Sequence, residues 1–320
     1  MKDIKFIIQG LANSLAQNTN GKSFYYYAEG RLLEYIGVLE KNECAVKTLL
    51  SKIDDMNRDA TPRRFIGLMK SINEQCLKIL ERAYAGDIFS ALNELKSLLV
   101  RKYTKYKLKK IYVEYIRCKN IQYKEMYRCV DFDKGVKPKS CGQLPFEMRE
   151  CASKGRFNQL GTICLYLSNS LECAQKEIGE KVRNGKIRWY GKFCPKAELS
   201  FMDFSIPKKK DLKRWKEEDL FAFLLTYPLR VLCLAKGKNH KKVSFVEEYL
   251  FSQLFLHILL LNGKIGSKLN FEGICYSSAK SSECLNFVIP AKYETRTPPC
   301  SGKSPYIDRL LKEEIIDCVK

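Results

Sequence analysis

The chain is 320 residues long and carries 57 Lys and Arg against 36 Asp and Glu, a formal net charge of +21. That length suggests about two domains burying roughly three quarters of the unfolded surface. The charge points to anionic partners such as dinucleotides, nucleic acid or an acidic protein, with a lysine-rich solvated surface as the competing reading. Only His240 and His257 are present, which leaves little for chemistry built on a histidine base, and no apolar run is clean enough to span a bilayer, since 220–235 is interrupted by Pro228 and Arg230.

Residues 1–118 read as helical. Stretches 25–39 and 45–56 supply two candidate helices, and Thr61-Pro62 is a helix start after which Phe65, Met69, Ile72, Cys76, Ile79 and Ala83 recur at helical spacing. Gly86-Asp87 ends that helix and caps the next, whose stripe is Ile88, Leu92, Leu95 and Leu99. An all-α helical bundle is expected. The segment contains no histidine, which a helical ribonuclease would need. The basic run 101–110 interleaves Tyr103 and Tyr106 with lysines, a composition that tracks phosphates and stacks on bases. On a helix, however, Tyr103, Tyr106 and Lys110 share one face, and an amphipathic linker helix is the preferred reading.

From Tyr123 the character turns to mixed strand and helix. Tyr127 and Cys129 alternate as in a strand, and 131–145 is a loop rich in Gly, Pro and Lys. Next comes Lys154-Gly155-Arg156-Phe157-Asn158-Gln159-Leu160-Gly161, two glycines bracketing an arginine ahead of a short apolar run at 163–167. Glycine tolerates the close backbone approach that a ligand loop requires, and the run is too short for a helix, so it reads as a buried strand with Tyr166 near its end. Asn169 followed by Glu172 has capping-box spacing. In the helix so started, Leu171, Ala174 and Ile178 share a face and put Glu177 at the border of the apolar stripe. Further on, 207–210 is a basic loop, 220–234 a buried helix broken at Pro228, and 285–289 a strand. Ser304-Pro305 starts a terminal helix with Ile307, Leu310, Leu311, Ile315 and Cys318 on one side.

The 14 cysteines are spread singly, with no CxxC pair and no N-terminal secretory signal, which favours a reducing cytoplasm. Cys118, Cys129, Cys141 and Cys151 match no common zinc spacing, and no metal site is expected.

The segment GRFNQLGTICLYLS followed by ECAQKEI resembles the central motif of the RES-domain family, NAD-consuming toxins with a fold related to ADP-ribosyltransferases. Glu125-Met126-Tyr127-Arg128 resembles that family's first strand with its arginine. Residues 249–253, 271–278 and 285–288 resemble its closing segment. The resemblance covers Tyr123 to about Pro290 and implies an α+β fold: an ADP-ribosyltransferase-like mixed-sheet RES domain at 119–290, preceded by the bundle at 1–118 and followed by a C-terminal tail with its terminal helix at 291–320.

The implied activity is an NAD+-degrading enzyme, an NAD+ phosphorylase or glycohydrolase that cleaves the nicotinamide–ribose bond with phosphate or water. It would be the toxin of a toxin–antitoxin or defence system, with no cofactor beyond NAD as substrate. By resemblance, Arg128 and Arg156 would meet the diphosphate, Tyr166 would pack on the nicotinamide or reach the ribose, and Glu177 would stabilise the oxocarbenium-like centre. Ser278 would add a polar contact, with Ser277 as its neighbour in register. The physical match is sound: such a centre needs negative charge near the ribose and a bidentate cation near the phosphates. Two alternatives stay open, ADP-ribosyl transfer to a protein or nucleic-acid acceptor, and a basic nucleic-acid-binding protein without NAD chemistry. Restraint by an acidic antitoxin or by the N-terminal bundle is the expected partnership, with no membrane involved.

Overall fold

The computed structural model describes residues 1–15, 17, 19, 21–53, 61–106, 108–116, 118–121, 125–179, 181–182, 184–236, 245–262, 271–281, 283–292 and 302–316. The fold is mixed α/β and divides into two compact units that are not contiguous in sequence. Unit 1 comprises 1–117, 206–258 and 264–269; unit 2 comprises 118–205, 259–263 and 270–320. The break at 117/118 falls one residue before the expected boundary between 118 and 119. Residues 206–258, expected with the sheet, group with the helices, and the segment expected as a C-terminal tail groups with the sheet.

Unit 1 begins with α1 (Lys2–Leu15), a helix the motif reading did not single out, whose Ile4, Ile7, Ile8, Leu11 and Leu15 form a buried stripe. Then follow α2 (Phe24–Lys41), α3 (Glu43–Leu50), α4 (Pro62–Tyr84) and α5 (Ile88–Val100). The caps follow from the sequence: the Thr61 side chain accepts from Arg64 N, and Asp87 accepts from Ser90 N after Gly86 has ended α4 at φ +80°. Residues 54–56 of the expected second helix lie outside the described residues. The run after α5 is not the linker helix expected. Helix α5 stops at Val100, a 3-10 turn covers Thr104–Tyr106, and Tyr103 is buried against Tyr106 and Tyr112 with ring centroids 6.5 and 6.1 Å away. Tyr103 is a packing residue, not a stacking platform.

The basic stretch after Pro207 is likewise helical in part, as α7 (Lys209–Arg214), because Asp211 accepts from the Lys208 backbone N–H at 2.9 Å and closes its first turn. The centre of unit 1 is α8 (Glu217–Leu234), buried from Leu220 to its end. Pro228 does not break it. A proline lacks the N–H that would reach the carbonyl four residues back, so Leu224 O loses its helical donor. The Tyr35 hydroxyl donates to that carbonyl at 2.7 Å, and Tyr112 donates to the adjacent Leu225 O at 2.9 Å. Ring contacts of Tyr35 with Tyr227 at 4.5 Å and Phe65 with Phe221 at 5.6 Å pack the same helix. The last helix to carry unit 1 residues is α9 (Leu250–Asn262), on which His257 is half-buried at the core edge.

Unit 2 is built on an eight-stranded sheet whose strands are β1 (Cys118–Ile121), β2 (Met126–Asp133), β3 (Cys164–Ser168), β4 (Lys186–Pro195), β5 (Leu199–Phe204), β6 (Gly273–Ser277), β7 (Leu285–Pro290) and β8 (Leu311–Ile316). Their spatial order is β1-β5-β6-β7-β3-β2-β4-β8, with β5 and β6 parallel and every other pair antiparallel. The helix α6 (Leu171–Ile178) follows β3, and α10 (Pro305–Leu310) precedes β8. The terminal helix expected through Ile315 therefore ends at Leu310, where the chain turns into a strand paired with β4 from Leu311 to Ile316. Pairing with a sheet edge has overridden a helical pattern; Cys318 lies outside the described residues.

Because side chains alternate along a strand, register assigns each residue to a face. On one face Met126, Leu165, Leu167, Phe193, Phe201, Cys275, Phe287 and Ile289 form an apolar core. On the other lie Tyr127, Ser168 and Asn286, directly opposite one another on β2, β3 and β7, with Tyr166 and Tyr276 beside them. Helix α6 covers part of this second face, Ala174 packing with Cys129 and Tyr190, and Leu171 against them.

Candidate functional site

Glu177 lies in the last turn of α6. The helix starts one residue later than the capping-box reading required. Ser170 is the N-cap and its hydroxyl accepts from Cys173 N at 3.2 Å, while Asn169 serves the sheet, its side chain accepting from Leu285 N at 2.9 Å. The start has shifted but Glu177 still points over the sheet face. Ile178, expected in the buried stripe, is 43% exposed.

Three elements meet at the Glu177 carboxylate. Ser278, just past β6, donates its hydroxyl to Oε1, and Asn286 of β7 donates to the same oxygen at 2.7 Å. Ser168 of β3 donates to Asn286 Oδ1 at 2.9 Å, which orients the amide. Lys280 donates its ammonium to the Glu177 carbonyl and its backbone N–H to Ser278 Oγ at 3.0 Å. Glu177 Oε2 has no hydrogen-bond partner among the described residues. Ser278, not Ser277, meets Glu177: Ser277 pairs with Leu285 and belongs to the opposite face of the sheet.

The arginine loop packs on the same face. The Tyr166 hydroxyl donates to Asn158 Oδ1 at 2.7 Å and accepts from Phe157 N at 3.2 Å. Asn158 in turn donates to the carbonyls of Ser153, Gln159 and Thr162, between 2.9 and 3.1 Å. Gly155 is required here, since a Cβ would stand 2.4 Å from Asn158 Oδ1 and 2.6 Å from the Tyr166 hydroxyl. Phe157 packs against Tyr276 with the rings tilted and their centroids 5.0 Å apart, and Arg156, next to Phe157 in the chain, is 8% exposed. Tyr166 and Ser168 are two residues apart on one strand face, so the loop that carries Arg156 packs on the same strand face as the carboxylate cluster.

Arg128 does not join them. It alternates with Tyr127 on β2 and so projects from the other face, where its guanidinium donates to Gly142 O and lies near Glu313. Burial lowers its pKa from the ordinary arginine value. Glu313 is itself held there by Ser140 Oγ at 2.6 Å and Cys141 N at 2.5 Å. Arg128 thus projects from the face opposite the one on which the loop of Arg156 packs.

Sequence reasoning passed over Ser168, Asn286 and the role of Asn158. The signal for Asn286 was present: one amide inside the apolar run Leu285–Pro290. Its partners depended on register, which no single strand discloses. The singly spread cysteines, which favoured a reducing cytoplasm, gave no sign of one pairing. Cys173 on α6 and Cys284 before β7 form a disulfide, joining the Glu177 helix to the Ser278 hairpin.

Among the described residues, no group of three or more His, Cys, Asp or Glu is placed to hold a metal ion, and no helix is long and apolar enough to cross a membrane. No protein-family model, curated protein or solved structure matches the chain.

Proposed function

We propose that this chain cleaves the nicotinamide–ribose bond of NAD+, using Glu177 to stabilise the positive charge that develops on the ribose, within an ADP-ribosyltransferase-like RES domain. The observation that carries the reading is the asymmetric Glu177 carboxylate. Oε1 is anchored by Ser278 and Asn286, and Oε2 is uncommitted among the described residues. An anchored carboxylate needs no reorganisation as charge appears, which is what makes fixed electrostatic groups effective in a transition state.

In this reading the C1′–N bond of the ribosyl nicotinamide breaks, the bonding pair leaves with nicotinamide, and phosphate or water adds to C1′. The products are nicotinamide with ADP-ribose 1-phosphate or ADP-ribose, and water in the second case loses its proton to solvent. Arg156 takes the diphosphate, because a planar guanidinium bonds two oxygens at once and keeps its charge. Tyr166 contributes its ring to the nicotinamide side, its hydroxyl being engaged by Asn158 and Phe157. Arg128, on the far face, supports the sheet and takes no part.

An activity of this kind would be toxic to a cell whose NAD pool it reached, unless restrained. The +21 charge favours an acidic antitoxin as that restraint. The deciding experiment incubates the purified chain with NAD+ in phosphate and in phosphate-free buffer and identifies the products. ADP-ribose 1-phosphate in the first and ADP-ribose in the second is the expected result. Label transferred from NAD+ to a protein or nucleic-acid acceptor would establish ADP-ribosyl transfer instead, and intact NAD+ with co-purified nucleic acid would overturn both.

A further inference from the structure

We infer that Arg188 is a positioning residue for Glu177. This rests on the reading of Glu177 as the site carboxylate. Arg188 lies on β4 opposite Asp131 of β2, on the same sheet face as α6, and is 2% exposed. Its guanidinium is used on both sides. Nε and Nη2 donate to the two Asp131 oxygens at 2.9 and 3.3 Å, while Nη1 donates to Gly179 O at 2.7 Å and Nη2 to Lys181 O at 3.5 Å. Gly179, at φ +99°, is the C-cap of α6, two residues past Glu177.

Helix α6 has eight residues, too few to hold its shape by its own hydrogen bonds. The orientation of its side chains therefore depends on what grips each end. The first turn is gripped by the Cys173–Cys284 disulfide and the Ser170 cap. The last turn, which carries Glu177, is gripped by cations on its terminal carbonyls: Lys280 on Glu177 O and Arg188 on Gly179 O. Cations are the favoured partners of a helix C-terminus. Lys280 is on the surface, whereas Arg188 is buried and locked in a fork with Asp131, so it ties the backbone of that turn to the sheet, beside the side-chain bonds that Glu177 itself receives from Ser278 and Asn286. Losing the fork should let the last turn fray and Oε1 leave Ser278 and Asn286.

The test compares the parent chain with Arg188→Lys, which keeps the charge but loses the fork, by two readouts. The first is hydrogen exchange of amides 173–179, which does not depend on activity; exchange there should speed at least tenfold while amides of β6 and β7 keep parental rates. The second is NAD+ turnover, in which kcat should fall about tenfold or more with KM within twofold, because ground-state contacts of NAD are untouched. Unchanged exchange in α6, an equal rise across the sheet, or a change in KM alone would overturn the assignment. Should Arg188→Lys not fold, Asp131→Asn takes its place under the same criteria, since it removes the charge partner and leaves the donors to Gly179. A parent chain that leaves NAD+ intact would refute the proposed reaction, and the exchange measurement would still decide the positioning.

Discussion

The two units both bury polar side chains, but to different ends. In the helical unit, the hydroxyls of Tyr35 and Tyr112 donate to the backbone carbonyls of Leu224 and Leu225, beside the proline in α8. In the sheet unit, Ser278 and Asn286 donate to a side-chain carboxylate and leave its second oxygen without a partner among the described residues. A carbonyl made whole by a tyrosine is finished: it has replaced a missing helical bond and can do nothing more. A carboxylate held by one oxygen keeps a charge to offer. In the proposed reading the same kind of bond is structural in one unit and preparatory in the other, and the acceptor makes the difference.

The largest expected effect tests that distinction directly. Glu177→Gln keeps size and the anchoring oxygen and removes only the charge. Turnover of NAD+ should fall a hundred- to thousandfold, the ~3–4 kcal/mol typical of one aimed electrostatic contact, while the melting temperature stays near that of the parent. Parental turnover in a folded Glu177→Gln protein would mean that the cluster is as structural as the tyrosines of unit 1. Next in size is Tyr35→Phe, which strips the donor from Leu224 O inside a fully buried helix. It should cost about 1–3 kcal/mol of unfolding free energy in denaturant titration and leave turnover untouched. Loss of activity without loss of stability there would break the comparison from the other side. Smaller again is Ser168→Ala, removing the bond that orients Asn286. About 1 kcal/mol of stability, with a fall in kcat smaller than that of Glu177→Gln, is the expected pattern.

How much of this could be read in advance follows from the range of each interaction. The caps at Thr61 and Asp87, the strand carrying Tyr166 and the proximity of Ser278 to Glu177 lie in short patterns or in the resemblance, and the chain declares them. The face that Arg128 takes was not legible, because one residue of strand register decides it and both Tyr127 and Arg128 can sit at a half-buried position. The placement of α8 was hidden for a related reason. Its apolar character shows on every side, which says that it is buried but not among which partners, and it joins helices more than a hundred residues upstream. That discontinuity bears on experiment. Deleting 1–118 to ask whether the bundle restrains the proposed activity would strip α8 of Tyr35, Phe65 and Tyr112, so restraint is better sought in the salt dependence of an added acidic partner. Likewise Ile315 fits a helical stripe and a strand equally well until β4 is there to pair with it.

The smallest effect concerns His257, where the helical unit carries a titratable group with no assigned task. Half-buried on α9 beside Leu254, Leu256 and Ile258, its imidazole has its pKa lowered, and burial is the cause. The direction fixes the sign of the linkage. The unfolded chain binds this proton more readily than the folded one, so protonation favours unfolding. Stability from this residue is therefore whole above the ordinary histidine value of about 6.5, and is lost progressively as the pH falls from there through the lower folded value. Carboxylates elsewhere also titrate on the acid side, so the parent curve alone does not isolate the histidine. The difference between the parent and His257→Leu does: their unfolding free energies should run parallel above pH 7 and diverge below 6.5, with the leucine variant losing less. Parallel curves down to pH 5 would place His257 in water in the folded protein. Divergence in the opposite sense would mean that a carboxylate faces it within the helical unit, making it a charge-paired group and not a packed one.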